Sequence, residues 1–492
     1  MSNRSLAVAI GVLLALTTVS GCAALRGLAT PDPSTLASGD RRAVSEPTAP
    51  AQTCATVTAQ LTLTDGTADD TDEATPPDTV RIQQALDGCA QTGDSVVAVR
   101  LAASGPFADF LTAPLTLRQG EVLVLDSSVT LYASRNPADY QIAGREACGT
   151  VGRSGGGCAP LLTLSGAHTG LTSAPDAAGR QGRVDGRGGQ TMWGAQQSWW
   201  DLAQAAKGHG IQNVPRLVQA SKADDVTLHD VDLVDAPGVH VSFQNADGLT
   251  IWGVRIQTPA TARNTDGIDP AGATDVTIAD SWIMDGDDGI AIKAGSQPSA
   301  HISILGNHLF GTHGISIGSE TTAGVSDVLV ADDTVSGTDA LGNVSASSTG
   351  IRIKSSPKVG GVVQQVTYRR ICVDAVKAPI DIDPFYGGTN GPNVPRFQDI
   401  VVSDLRATNS PHGATSVLKG ADAAHPLRVR LENVDVDAGA VQASDADITA
   451  SGAVFGGAEL DSSDGDVHVS NASSRTGAPQ AGSCGFPPYP PL

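Results

Sequence analysis

Aromatic residues make up only 4% of this 492-residue chain, and methionine occurs three times. A core built on stacked rings is therefore excluded, as is a base-stacking nucleic-acid platform. Charged residues are scarce at 17%, too few for long helices with charged solvent faces. Basic residues are the scarcer kind: 31 Lys and Arg stand against 52 Asp and Glu, a formal net charge of −21. That balance argues against nucleic acid and against anionic membrane surfaces as partners. It also repels an acidic polymer unless basic residues are gathered locally. No Cys-x-x-Cys pair occurs, so a thiolate zinc site is not expected.

Glycine is abundant, with 56 residues, and Val, Ile, Thr and Asp recur with it. This is the vocabulary of short strands and turns. The N-terminus reads "MSNRSLAVAIGVLLALTTVSGCAALRG". Its apolar run from Leu6 to Leu16 is too short for a membrane span and suits an export signal. The run ends in Val19-Ser20-Gly21-Cys22, which resembles a bacterial lipobox. The expected organisation is a signal peptide over 1–21, a lipidated Cys22, a flexible Pro/Ser/Thr-rich tether over 22–53 and one catalytic domain over 54–492. The mature protein is expected to be exported, lipid-anchored to the envelope or else secreted, and monomeric. Six further cysteines allow 15 connectivities. The set expected is Cys54–Cys89, Cys148–Cys158 and Cys372–Cys484.

The strand segments repeat. "APGVHVS" from Ala236, "TDGIDPA" from Thr265, "DDGIAIK" from Asp287, "THGISIG" from Thr312, "STGIRIK" from Ser348 and "KAPIDID" from Lys377 share one frame, at intervals of roughly 22 to 36 residues. Two variable residues precede Gly or Pro, and an alternating run follows. Units of this length without intervening helices fit an all-β, single-stranded, right-handed parallel β-helix, one unit per coil. A β-propeller expects longer blades and tight hairpins. "DTVRIQQALDGCAQTG" supplies a short N-terminal capping helix, with Asp78 or Thr79 as its N-cap. The tail "GFPPYPPL" and Cys484 are expected to fasten the other end.

In this frame Ile290, Ile292, Ile315, Ile317, Ile351 and Ile353 point inward, while Asp269, Lys293, Ser316, Arg352 and Lys354 point outward. Asp266, Asp288 and His313 then stack in one column on consecutive coils, with Asp287 beside them. Any one of these aspartates alone reads as a turn former. Aligned with His313 and Arg352-x-Lys354, they read as an acid cluster facing a basic patch. Asp285-Gly-Asp287-Asp288-Gly lacks the downstream Glu of a calcium loop, and His308 with His313 is poorly spaced for a metal, so no metal and no cofactor are expected.

Asn264-Thr265-Asp266, Asp287-Asp288, Thr312-His313-Gly314 and Arg352-Ile353-Lys354 resemble, in order, the four motifs of glycoside hydrolase family 28, the polygalacturonases and their relatives. Thr312 departs from the family's usual Gly. The resemblance implies a parallel β-helix and inverting hydrolysis of an acidic plant polysaccharide, α-1,4-linked galacturonan. It implies Asp287 as general acid, Asp266 and Asp288 as the pair that activates water, and His313 tuning the proton. Arg352, Lys354, Asn264, Asp269 and Tyr386 then bind the sugar. Neighbouring charges are expected to raise Asp287 toward the working pH. A rhamnogalacturonan hydrolase, a calcium-dependent pectate lyase and a non-catalytic β-helix binding protein are the alternatives.

Overall fold

The computed structural model describes residues 36–461, 465–471 and 484–492; the expected signal peptide and Cys22 lie outside the described residues. The coils stack in parallel, and their register can be followed along three faces. On the first face the inward ladder runs Val241, Ile268, Ile290, Ile315, Ile351, Ile380, each paired with the next. On the second it runs Val226, Leu249, Val276, Ile302, Val328, Val366, Ile400. On the third it runs Leu233, Ile256, Ile283, Leu309, Val335, Val373. All of these side chains are buried in a single apolar core. The parallel β-helix expected from the repeat is the fold observed, because only in-register stacking buries every alternate residue of each strand.

Each turn from the second face to the third needs a residue with positive φ. Asp230 (+49°), Asp280 (+48°), Asp332 (+65°), Asp404 (+55°) and Asn433 (+54°) alternate there with Gly253 and Gly306. Asp and Asn tolerate this left-handed conformation by bonding their own backbone, and Gly has no Cβ to clash. Much of the acidic excess is thus turn chemistry.

The N-terminal cap is a helix over Thr79–Asp87 that buries Ile82 and Leu86. Asp78 stands at its N-cap but makes no side-chain cap bond. Its carboxylate instead accepts from Leu111 N (2.7 Å) and Arg81 Nε (2.6 Å). The disulfide Cys54–Cys89 ties this helix to the first strand, Thr53–Thr58. Cys148–Cys158 and Cys372–Cys484 complete the expected set.

Two expectations change. The tail does not close the far end of the stack. From Cys484, tied by its disulfide to Cys372 on strand Val362–Asp374, it turns back along the third face. There Tyr489 donates to Ile256 O (2.9 Å) and packs edge-on against Trp282 and Phe310. Likewise residues 36–50, expected as part of a flexible tether, lie across the second face as a strap. Ala37 N donates to Thr367 Oγ1 (3.0 Å), Ser38 N to Asp327 Oδ1 (2.6 Å) and Asp40 N to Ser303 Oγ (2.9 Å). Arg41 pairs with Asp275, and Arg42 Nη2 donates to Leu249 O (2.8 Å). Composition alone reads such a segment as linker, because its partners are outward Ser, Thr and Asp side chains of distant coils. Strap and tail clad two faces and leave the first for the site.

Candidate active site

The first face carries the acid cluster where the sequence frame puts it. Ile268, Ile290 and Ile315 are in register, so Asp266, Asp288 and His313, two residues before each, share one column. The neighbouring backbone follows suit: Gly267 N donates to Asp288 O (3.0 Å) and Gly289 N to Gly314 O (3.0 Å). Thr265 fixes the loop ahead of the aspartate pair, accepting from Gly286 N (3.0 Å) and donating to Ala262 O (2.7 Å).

The three carboxylates differ in partners. Asp266 accepts from Lys293 Nζ (3.3 Å), which also donates to Asp269 Oδ2 (2.6 Å). Asp288 accepts from Lys354 Nζ (2.6 Å) and Ser316 Oγ (2.8 Å), with Arg352 Nη1 at 3.9 Å. Asp287 has no lysine. It bonds His313 Nδ1 (3.0 Å), Asn264 Nδ2 (2.9 Å) and Asp288 N (3.0 Å). Its side chain is also the most open, 19% exposed against 11% for Asp266 and 4% for Asp288.

The electrostatics correct one expectation. Burial works to raise Asp287, but the His313 hydrogen bond and charge, then Lys354 and the Asp288 amide, outweigh it and hold the carboxyl down to about 2. The proton preference lies instead on Asp266. Burial first, then the Asp269 charge, push it well above the usual carboxylate range against Lys293. Spacing alone reveals that carboxylates crowd, but not which one has the imidazole.

Arg352 and Lys354 flank the cluster as expected. Arg352 Nε pairs with Asp381 Oδ2 (2.9 Å), and both cationic heads lie 5.0 Å from the centre of the half-exposed Tyr386 ring. Lys354 is more buried than expected, since its ammonium is bound to Asp288. Asn264 is held by Gln212 Nε2 (2.8 Å), from a short strand, Ile211–Gln212, that pairs with Val151–Gly152 in the disulfide-closed loop. That loop thereby walls one side of the site.

Three contributors were not singled out in the sequence as parts of the site. Lys293 bridges two aspartates. Asp285 is fully buried at the base of the loop, accepts from Asp287 N (3.0 Å), and burial pushes its carboxyl well above the usual carboxylate range. His240, held neutral by burial with a pKa of about 4, approaches Asp266 O through Nδ1 (3.1 Å). For two of them the repeat frame was the available signal: His240 lies one coil before Asp266, and Lys293 ends the run that follows Asp287 and Asp288. Trp199 and Trp200 pack in the helix Trp199–Ala205 and do not reach this site's charged groups: Trp200 Nε1 donates to Ala236 O (2.9 Å) and Trp199 meets Tyr140 edge-on.

Asp287, Asp288 and His313 lie close enough together to hold a cation. A metal there would have to displace the Lys354 ammonium and break the His313–Asp287 bond, so the donor set fits proton chemistry better than metal binding.

The Lys354–Asp288 pair is buried on both sides, so Lys354→Met should lower stability by about 3 kcal/mol by stranding a carboxylate. Asp288→Asn in the same chain should recover part of that loss. Denaturant melts of both singles and the double measure the coupling; additive losses would dissolve the pair's structural role.

A model of the glycosyl hydrolases family 28 matches residues 174–453. The endo-polygalacturonase of Pectobacterium carotovorum subsp. carotovorum is 40% identical over 399 residues, 80% of this chain and 89% of that one. The polygalacturonase of Ralstonia solanacearum is 36% identical over 439 residues, 80% of each. The solved polygalacturonase from Erwinia carotovora ssp. carotovora superposes with a TM-score of 0.72 at 37% identity, covering 83% of this chain and 99% of that one. Matched by the family model over more than half its length and by relatives over four-fifths, this chain belongs to glycosyl hydrolase family 28.

Proposed function

We propose that this protein hydrolyses the α-1,4-galacturonan backbone of pectin with inversion, in endo fashion. The division of the acid cluster carries the reading: two carboxylates each tied to a lysine, and one tied to an imidazole. Burial and Asp269 outweigh Lys293 and give Asp266 a high proton affinity, which suits it to take a proton from water. Asp288 stands beside it in the column, and the water between the two attacks the anomeric carbon. Asp287, without a lysine and the most open, gives its proton to the leaving oxygen. In the empty site the His313 hydrogen bond and charge hold the Asp287 carboxyl low, and a substrate that loosens this contact raises it toward the working pH. Arg352 and Lys354 supply local positive charge for a uronate in a chain of net charge −21, and Tyr386 offers a ring beside them. Endo action follows the relatives that carry that name and that this chain matches over 89% of their length.

Polygalacturonic acid in excess chelator should yield reducing ends and an early ladder of oligomers, with no ultraviolet-absorbing product. A chelator-sensitive rise in ultraviolet absorbance would mark a lyase; monomer from the outset would mark exo action. Asp287→Asn should slow turnover by about 10²–10⁴ while leaving the fold intact, and a mutant retaining half the rate removes Asp287 from the acid role.

The Asp287–His313 contact has a pH signature. His313 lowers the Asp287 carboxyl through its hydrogen bond and charge, so His313→Gln should let that carboxyl rise and keep its proton to higher pH. The alkaline limb of kcat/KM should therefore move to higher pH in the variant; an unmoved limb would place the proton elsewhere.

We further propose export with lipidation at Cys22, supported by the lipobox-like sequence ahead of the strap. Cys22→Ser should shift the protein from the membrane fraction to the soluble one; unchanged partitioning refutes the anchor.

A further inference from the structure

Outside the active site, among the described residues, one other cluster brings together groups able to ligate a metal: Glu46 of the strap with His229 and Asp230 of the second face. His229 ends the strand Val226–His229, and its side chain points outward, under the strap. The residue is only 7% exposed, and neither ring nitrogen makes a hydrogen bond. A buried imidazole without a hydrogen bond at either nitrogen, its Nε2 only loosely paired with carboxylates, is costly unless something else engages it. Its Nε2 lies 3.3 Å from Asp230 Oδ2 and 3.7 Å from Glu46 Oε1.

These separations match a coordination shell. Ligands about 2.0–2.1 Å from a tetrahedral ion stand about 3.4 Å apart. All three donor atoms lie within 4.8 Å of one another. Asp230 is held at positive φ by the turn, and the next coil offers Gly253 above it. A Cβ at Gly253 would come within 2.3 Å of Asp230 Oδ1, so the glycine keeps the space around this carboxylate open. A cleft between residues 47–51 of the strap and the second face, lined by Pro47, His168, Thr172 and His229 itself, gives access from solvent.

We propose that Glu46, His229 and Asp230 bind one divalent transition-metal ion of the zinc class, which clasps the strap to the second face. One neutral imidazole and two carboxylates balance the charge of a divalent ion. An imidazole donor and so few oxygens suit zinc and its neighbours better than calcium, which takes six to eight oxygens. The active-site trio differs in that its His and Asp donors already have partners.

The test uses the whole chain, stripped with chelator and then titrated with zinc in a calorimeter. One equivalent should bind, and zinc should slow tryptic cleavage after Arg41 and Arg42 in the strap. His229→Gln should abolish both effects. Glu46→Gln alters only the exposed strap side of the site, so it leaves the coil intact should the His229 variant misfold. It should weaken binding by at least the roughly 10-fold that even outer-shell losses cost. His313→Gln should still bind its equivalent. The proposal falls if no zinc binds, if binding survives both His229→Gln and Glu46→Gln, if His313→Gln removes it, or if calcium protects the strap equally.

Discussion

In-register parallel stacking is the constraint from which everything else in this molecule follows. Because Ile268, Ile290 and Ile315 must lie over one another to bury their side chains, the residues two places earlier have no choice but to form a column. Asp266, Asp288 and His313 are brought together by the same registration that builds the core. A one-residue slip in any coil would send its isoleucines to solvent and scatter the acids at once.

That column would be unstable if it consisted only of acids. Lys293 and Lys354, projecting from the same strand frame, pair with Asp266 and Asp288, and His313 takes Asp287. The lysines thus hold the site together and also separate its members chemically, since identical side chains acquire different proton affinities from different partners. In a chain of net charge −21, Lys293, Arg352 and Lys354 are thus gathered on one face beside the acid column.

Much of this was legible in the sequence, for a physical reason. The repeat frame converts position along the chain into position on a face, so the inward isoleucines, the acid column, Arg352 and Lys354 could be placed by counting. The sign of the shift at Asp287 could not be, because it depends on which neighbour the imidazole chooses. Nor could the burial of Asp285, one residue off the frame in a tight turn. The strap and the tail escaped for a different reason. Their partners, Thr367, Asp327 and Ser303 for one and Ile256 and Trp282 for the other, are solitary outward groups on distant coils, with no periodicity to betray them.

The strap also changes how the stack behaves as a thermodynamic object. A solenoid is nearly one-dimensional: each coil feels only the coils above and below, so its ends can fray and its middle can open independently. Ala37, Asp40 and Arg42 reach coils whose strands lie 330, 263 and 207 residues away in the chain. A single covalent ribbon therefore joins coils that are not neighbours, and one coil cannot open without loosening the ribbon from the rest. Melting of the second face should be correspondingly more all-or-none than a bare stack permits.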